Sequence, residues 1–125
     1  MFEKYLIVDD SLRQTEDGFA FDAKLGYYRG LGLSMVEELA VTIDGQSVPR
    51  SAIRFDEGQG PISLDEMETA YDRRWGFGEI ATIFVTWPEA LSAGQHDLEL
   101  IERLRVSYMP FPSIRKAEQR MNLAS

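Results

Sequence analysis

Tyr27-Tyr28-Arg29-Gly30 is the stretch of this chain best equipped to hold another molecule. Two phenol rings and a guanidinium stand in succession, Leu31-Gly32-Leu33-Ser34 follows, and glycines occupy 26, 30 and 32. A connection that runs over a protein surface is ordinarily small and polar. Tyr and Arg instead stack, cover apolar area and donate hydrogen bonds, and they are enriched where proteins anchor partners. The glycines permit a positive φ or the close passage of another chain. The cluster as a whole reads as a contact surface. For any single residue the other reading stands, with one Tyr in the core and the Arg laid over it.

Two further clusters have the same character. Asp72-Arg73-Arg74-Trp75 sets a guanidinium beside an indole, which suits stacking on a sugar or an aromatic ring. A helix end with Trp75 tucked beneath it fits equally well. Tyr108-Met109-Pro110-Phe111-Pro112 is an aromatic, proline-rich exit from a strand, and its Met can fill irregular gaps against another protein. It could equally be a rigid cover over the core.

Acid–base and metal chemistry find less support. Asp9-Asp10 is read as a strand-ending turn, Glu37-Glu38 as a solvated edge, and Glu66 as a helix cap. With 21 acidic residues, chance pairs are common. His96 is the single histidine, and as a base it would need a partner that the sequence does not reveal, so it is read as structural. One histidine and no cysteine rule out a multi-histidine centre built from this chain alone, a Cys-ligated zinc site, a thiolate nucleophile and a disulfide framework. No Gly-x-Ser-x-Gly elbow occurs. The usual apparatus of a self-sufficient enzyme is missing.

The elements that position these residues are strands, because period-two alternation dominates. Strands are expected at Tyr5–Val8, Gly18–Leu25, Met35–Ile43, Ala52–Phe55, Ile80–Trp87 and His96–Tyr108. The last puts His96, Leu98, Leu100, Leu104, Val106 and Tyr108 on one face, interrupted by Glu102. Asp44-Gly45 predicts a tight primed turn leading into Gln46-Ser47-Val48. Ser63 and Glu66 have capping-box spacing, predicting a helix whose face carries Leu64, Met67 and Tyr71 and whose end carries Arg73-Arg74. The expected fold is all-β, an antiparallel β-sandwich with one short helical insertion. It forms a single domain over residues 1–125, with a polar tail at 113–125 that stays loose or docks on a partner.

Composition bounds the partners. A length of 125 residues suits one domain with a real core. A net charge of −8 argues against nucleic acid and against an anionic membrane surface. Neither a signal peptide nor a membrane span is read from the sequence, so a cytoplasmic protein is expected.

The ordered set of these motifs resembles a known family. Tyr27-Tyr28-Arg29-Gly30, Leu33 to Leu39 and Asp44-Gly45 are similar to the first half of the small β subunit of bacterial C-glycoside deglycosidases. Arg74-Trp75, Gly78-Glu79, Leu91, Gly94, His96, Leu104-Arg105 and Ser107-Tyr108-Met109-Pro110 are similar to the second half, so the resemblance runs from Gly18 to Pro112. It implies a division of labour. A TIM-barrel α subunit, similar to sugar-phosphate isomerases and epimerases, would bind a divalent metal, typically manganese, and carry the acid–base residues. The reaction would cleave the C–C bond between an aglycone, such as a flavonoid, and a 3-oxo-sugar. The β subunit would be a non-catalytic sandwich without a cofactor, held against the α subunit in one or more αβ units. The residues expected at the partner or active-site rim are Tyr27, Tyr28, Arg29, Gly30, Trp75, Tyr108, Met109 and Pro110. A free-standing carbohydrate-binding module, using Tyr27, Tyr28, Trp75 and Trp87, is the alternative. A small carboxylate-based hydrolase or isomerase ranks third.

Overall fold

Alternation of apolar and polar side chains buries one face of each long strand, and two such faces build the core. A computed structural model describes residues 6–25, 30–76, 78–88, 91–105 and 110–123. In chain order its elements are β1 (Arg13–Gln14), β2 (Gly18–Lys24), β3 (Leu31–Gly32), β4 (Val36–Ile43), β5 (Gln46–Ser47), β6 (Ile53–Asp56), β7 (Ile62–Ser63), α1 (Leu64–Met67), β8 (Arg74–Trp75), β9 (Ile80–Thr86), β10 (Gly94–Leu104) and β11 (Ser113–Leu123). A five-stranded sheet runs β1-β2-β9-β6-β7 and a four-stranded sheet β11-β10-β4-β5. β3 and β8 form a separate two-stranded ribbon, and all the pairings are antiparallel.

Phe19, Phe21, Phe55 and Ile83 enter the core from the first sheet, Leu39, Ile43, Leu98 and Leu100 from the second, and together they form one continuous cluster. The all-β expectation with one short helix holds. On β10 the inward row is His96, Leu98, Leu100, Glu102 and Leu104, so the acid that interrupts the apolar alternation does point inward, where it is fully buried. Asp44 and Gly45 both take positive φ, at 49° and 81°, as the primed turn between β4 and β5 requires.

Register defines two ends of the sandwich. At one end Lys24 faces Ile80, and Leu104 faces both Val36 and Ser113. The β3–β8 ribbon lies here, since Leu33 N–H donates to Arg73 O and Arg105 N–H to Met35 O. At the other end Gly18 faces Thr86, Gly94 faces Leu123, and the Asp44–Gly45 hairpin turns. These are called the ribbon end and the hairpin end below.

Three expectations are corrected. The capping box forms as predicted, with Ser63 and Glu66 satisfying each other's backbone N–H, but α1 stops after Met67. Tyr71 is therefore off the helix face and 77% exposed. A single turn has little propagation to sustain it, and the chain is drawn away to pair at β8. Arg74 and Trp75 are accordingly a strand and not a helix end. The tail is not loose, because Ser113–Leu123 pairs with β10 along its whole length. Its inward row includes Arg115 and Gln119 between Ala117, Met121 and Leu123, which dilutes the alternation that identifies a strand. The expected first strand contributes one bridge, Ile7 to Ala23, among the described residues.

Candidate functional site

Gly30 is one expected rim residue that the structure does place, and its surroundings explain why it is glycine. A Cβ there would stand 3.2 Å from Gly76 Cα and 3.2 Å from Trp75 O. The glycine lets two segments of this chain pass closely, and its carbonyl accepts from Arg74 Nη2 at 3.2 Å. Leu31 faces Trp75 and Gly32 faces Arg74 in the ribbon. Two stretches singled out separately in the sequence thus meet at the ribbon, through residues 30–32 of one and Arg74-Trp75 of the other.

Trp75 anchors that ribbon. It was expected at a contact surface, yet its indole is fully buried. It packs edge-on against Phe55 with ring centroids 4.9 Å apart, and its Nε1–H donates to Glu79 O at 3.0 Å. A ring so placed cannot stack on a ligand, so its role is to position the ribbon. Pro110 is exposed, just ahead of β11 at the ribbon end. Tyr27, Tyr28, Arg29, Tyr108 and Met109 lie outside the described residues.

Three ion pairs missed by sequence reasoning, one on Glu57 and two on Glu37, hold the ribbon end together. The Arg73 guanidinium grips Glu57 with Nε and Nη2 and also donates to Gly60 O at 2.7 Å. Both side chains are largely buried, and the Arg73 hydrogen bonds keep the Glu57 carboxyl below its ordinary range against the effect of burial. On β4 the register with β10 shifts between Arg103 and Leu104. Such a bulge re-aims a side chain, and Glu37 there accepts from Arg103 Nε and Arg105 Nε, both at 3.0 Å. The Arg105 bond, followed by that from Arg103, holds its pKa down despite partial burial. No local signal marks these pairs, because the partners are far apart in the chain.

A family model described as C-glycoside deglycosidase beta subunit matches residues 2–108. The chain belongs to the C-glycoside deglycosidase β-subunit family. Among its relatives, the 3′-dehydrocarminate deglycosidase beta subunit of a Microbacterium is 36% identical over 110 residues, covering 88% of this chain and 83% of that protein. The C-glycoside deglycosidase beta subunit of Arthrobacter globiformis is 28% identical over 117 residues, covering 93% and 89%. That of Eubacterium cellulosolvens is 32% identical over 93 residues, covering 74% and 63%.

The motif residues that resemble the β-subunit family divide between the two ends. Gly30, Leu33 to Leu39, Arg74-Trp75, Glu79 and Leu104-Arg105 belong to the ribbon end. Asp44-Gly45, Leu91, Gly94 and His96 belong to the hairpin end. His96 is buried there, with Nδ1 2.6 Å from Asp44 Oδ2 and Nε2 2.7 Å from Ser92 O. Both partners are acceptors, so the site favours the protonated ring, which donates from both nitrogens. The Ser92 carbonyl first, then Asp44, raise the His96 pKa against burial. Burial alone would raise Asp44, but bonds from His96 and the Asp97 N–H bring it below its ordinary value. A histidine committed on both sides is a structural clip, as the sequence reading had it.

Among the described residues no group of three or more His, Asp or Glu side chains converges as a metal site would, and no helix is long and apolar enough to cross a membrane. An open groove on the outer face of the four-stranded sheet, near Asp97, Glu99 and Arg120, lies away from the ribbon. Its charges are engaged with one another, as in the Arg120–Asp97 pair, so it reads as a solvated face.

Proposed function

We infer that this chain is the non-catalytic β subunit of a heteromeric C-glycoside deglycosidase. In this reading it works against a TIM-barrel α subunit that carries the acid–base residues and a divalent metal, typically manganese. The family match over residues 2–108 carries the inference. The substrate is a C-glycoside whose sugar is already oxidised to the 3-oxo form, with a flavonoid-type aglycone. The name of the Microbacterium relative, which contains 3′-dehydrocarminate, supports an oxidised sugar. The 3-carbonyl acidifies the neighbouring C–H, so removal of that proton lets the bond from the sugar to the aglycone carbon break in a lyase-type elimination. The aglycone carbon then takes up a proton. His96 is not free for those proton transfers, since it is held on both nitrogens at the hairpin end.

The contribution of the β subunit lies instead in the Tyr27-Tyr28-Arg29 segment beside Gly30, which faces the α subunit at the rim of its active site, in a cytoplasmic complex of one or more αβ units. The binding-module reading loses support, because Trp75 is buried and Trp87 is half-buried, edge-on to Phe19. Adding this chain to a purified α subunit should restore cleavage of a 3-oxo-C-glucoside, and Arg29→Ala should weaken assembly or turnover far more than it lowers the melting temperature. An α subunit fully active alone would rule out an obligate β subunit, and an unchanged complex and rate in Arg29→Ala would reject the rim role.

A further inference from the structure

Exposed apolar side chains scattered singly over a surface carry no message, but gathered in one region they mark an interface. Among the described residues the exposed large apolar side chains are Tyr71 at 77%, Ile80 at 51%, Phe111 at 63% and Ile114 at 56%. All belong to the ribbon end. Ile80 faces Lys24 where β2 and β9 finish. Ile114 faces Arg103, one step from the Leu104–Ser113 pair, and Phe111 stands two residues before β11. Tyr71 precedes Arg73, whose grip on Glu57 and Gly60 holds it beside the loop after β6. Asp56, the last residue of β6, faces Thr82 two residues beyond Ile80. The hairpin end carries Asp17, Asp44, Asp97 and the Ser92–His96 clip instead.

Resting on the β-subunit reading, we propose that the α subunit caps the ribbon end, seated on Tyr71, Ile80, Phe111 and Ile114, while the hairpin end faces solvent. Ile80 and Ile114 lie on the outer faces of different sheets, so a partner touching both covers the end of the sandwich and not one sheet face. In a protein of net charge −8, Arg103 and Arg105 border this patch. Both guanidiniums are already paired with Glu37, so the complementary surface is apolar at its centre with a polar rim, the usual anatomy of a protein interface. The buried Trp75 and the Arg73–Glu57 pair act beneath the contact, by holding the ribbon in place.

The test uses the full chain co-expressed with its α subunit. Ile80→Glu and Phe111→Asp place charges in the patch, and Gln95→Glu and Asn122→Glu place them on exposed positions of the hairpin end. Ile80→Thr is a milder change that matches Thr82 and Thr86 in the same outward row. Affinity is read by titration calorimetry and folding by thermal melts. Each patch charge should weaken binding about ten-fold or more, Ile80→Thr by about three-fold, and the hairpin-end variants by less than about two-fold. Wild-type binding with unaffected patch variants would overturn the surface and leave the β-subunit reading standing. A wild-type chain that binds no α subunit would remove that reading and the proposal with it. A wild-type homodimer that Ile80→Glu converts to monomer would reassign the patch to a second copy of this chain and reject the α subunit as its occupant.

Discussion

Arg73 holds Glu57 in a two-pronged, largely buried bond, and that pair ties the β3–β8 ribbon to the loop after β6. The Arg73 carbonyl also accepts from Leu33 N–H, so one residue links both strands of the ribbon to the body of the sandwich. Severing it should loosen the ribbon end, where Gly30 and Arg74-Trp75 lie.

Arg73→Ala leaves a buried carboxylate without its cation. The expected loss is about 3 kcal/mol of folding stability, read by urea denaturation. Pairing it with Glu57→Ala should cost much less than the sum of the two single changes, since the double variant removes the stranded charge. Additive losses in that cycle would show that the two side chains are not coupled.

Trp75→Ala empties a fully buried site and should cost about 4 kcal/mol. Trp75→Phe retains an edge contact with Phe55 but loses the bond to Glu79 O, for about 1 kcal/mol. In the reconstituted complex Trp75→Phe should lower affinity for the α subunit while leaving direct ligand contacts intact. A loss of sugar binding by the isolated Trp75→Phe chain, with its fold unchanged, would contradict a buried positioning role.

His96 should make stability fall as pH rises. Its folded-state pKa is raised above the ordinary 6.5 by the Ser92 carbonyl and then by Asp44. Its contribution is therefore complete below 6.5, where folded and unfolded chains both carry the proton. It drains away as pH climbs through the higher folded value, because the unfolded state then binds fewer protons. Melts across neutral and mildly alkaline pH should show this decline, and His96→Gln should flatten it. An equal decline in both proteins would place the titration elsewhere.

Gly18→Ala should be among the most damaging small substitutions. A Cβ there would stand 2.1 Å from Val85 O and 2.6 Å from Trp87 N, and both atoms are backbone. The β2–β9 pairing would have to shift, at about 3 kcal/mol. At Gly45, where no atom lies within 4 Å, the penalty of Ala comes from the positive φ alone and should be nearer 1 kcal/mol. Chemical denaturation of the two variants side by side tests the ordering.

Features that depend on near neighbours were legible in the sequence. The inward rows of β2, β4, β9 and β10 follow from alternation, the Asp44–Gly45 turn from its need for two positive φ values, and the Ser63–Glu66 box from its spacing. Ile80 was legible in principle, because it is out of phase with Ala81, Ile83 and Val85 on β9. The motif order also sufficed to place the chain in its family, as the match over residues 2–108 bears out.

Only the tertiary structure decided which side chains occupy which environment. Trp75 is buried because β3 pairs with β8 and sets the indole against Phe55, and Tyr71 is exposed because α1 ends one turn after its cap. The tail is a strand because β10 offers it a full-length edge, which outweighs its weak alternation. The physical reason is common to all three. Burial and pairing are contacts between residues distant in sequence, and local propensity is a small term beside them. A chain can therefore announce its layers and turns through its own periodicity, while its anchors and exposed patches are settled by what folds against them.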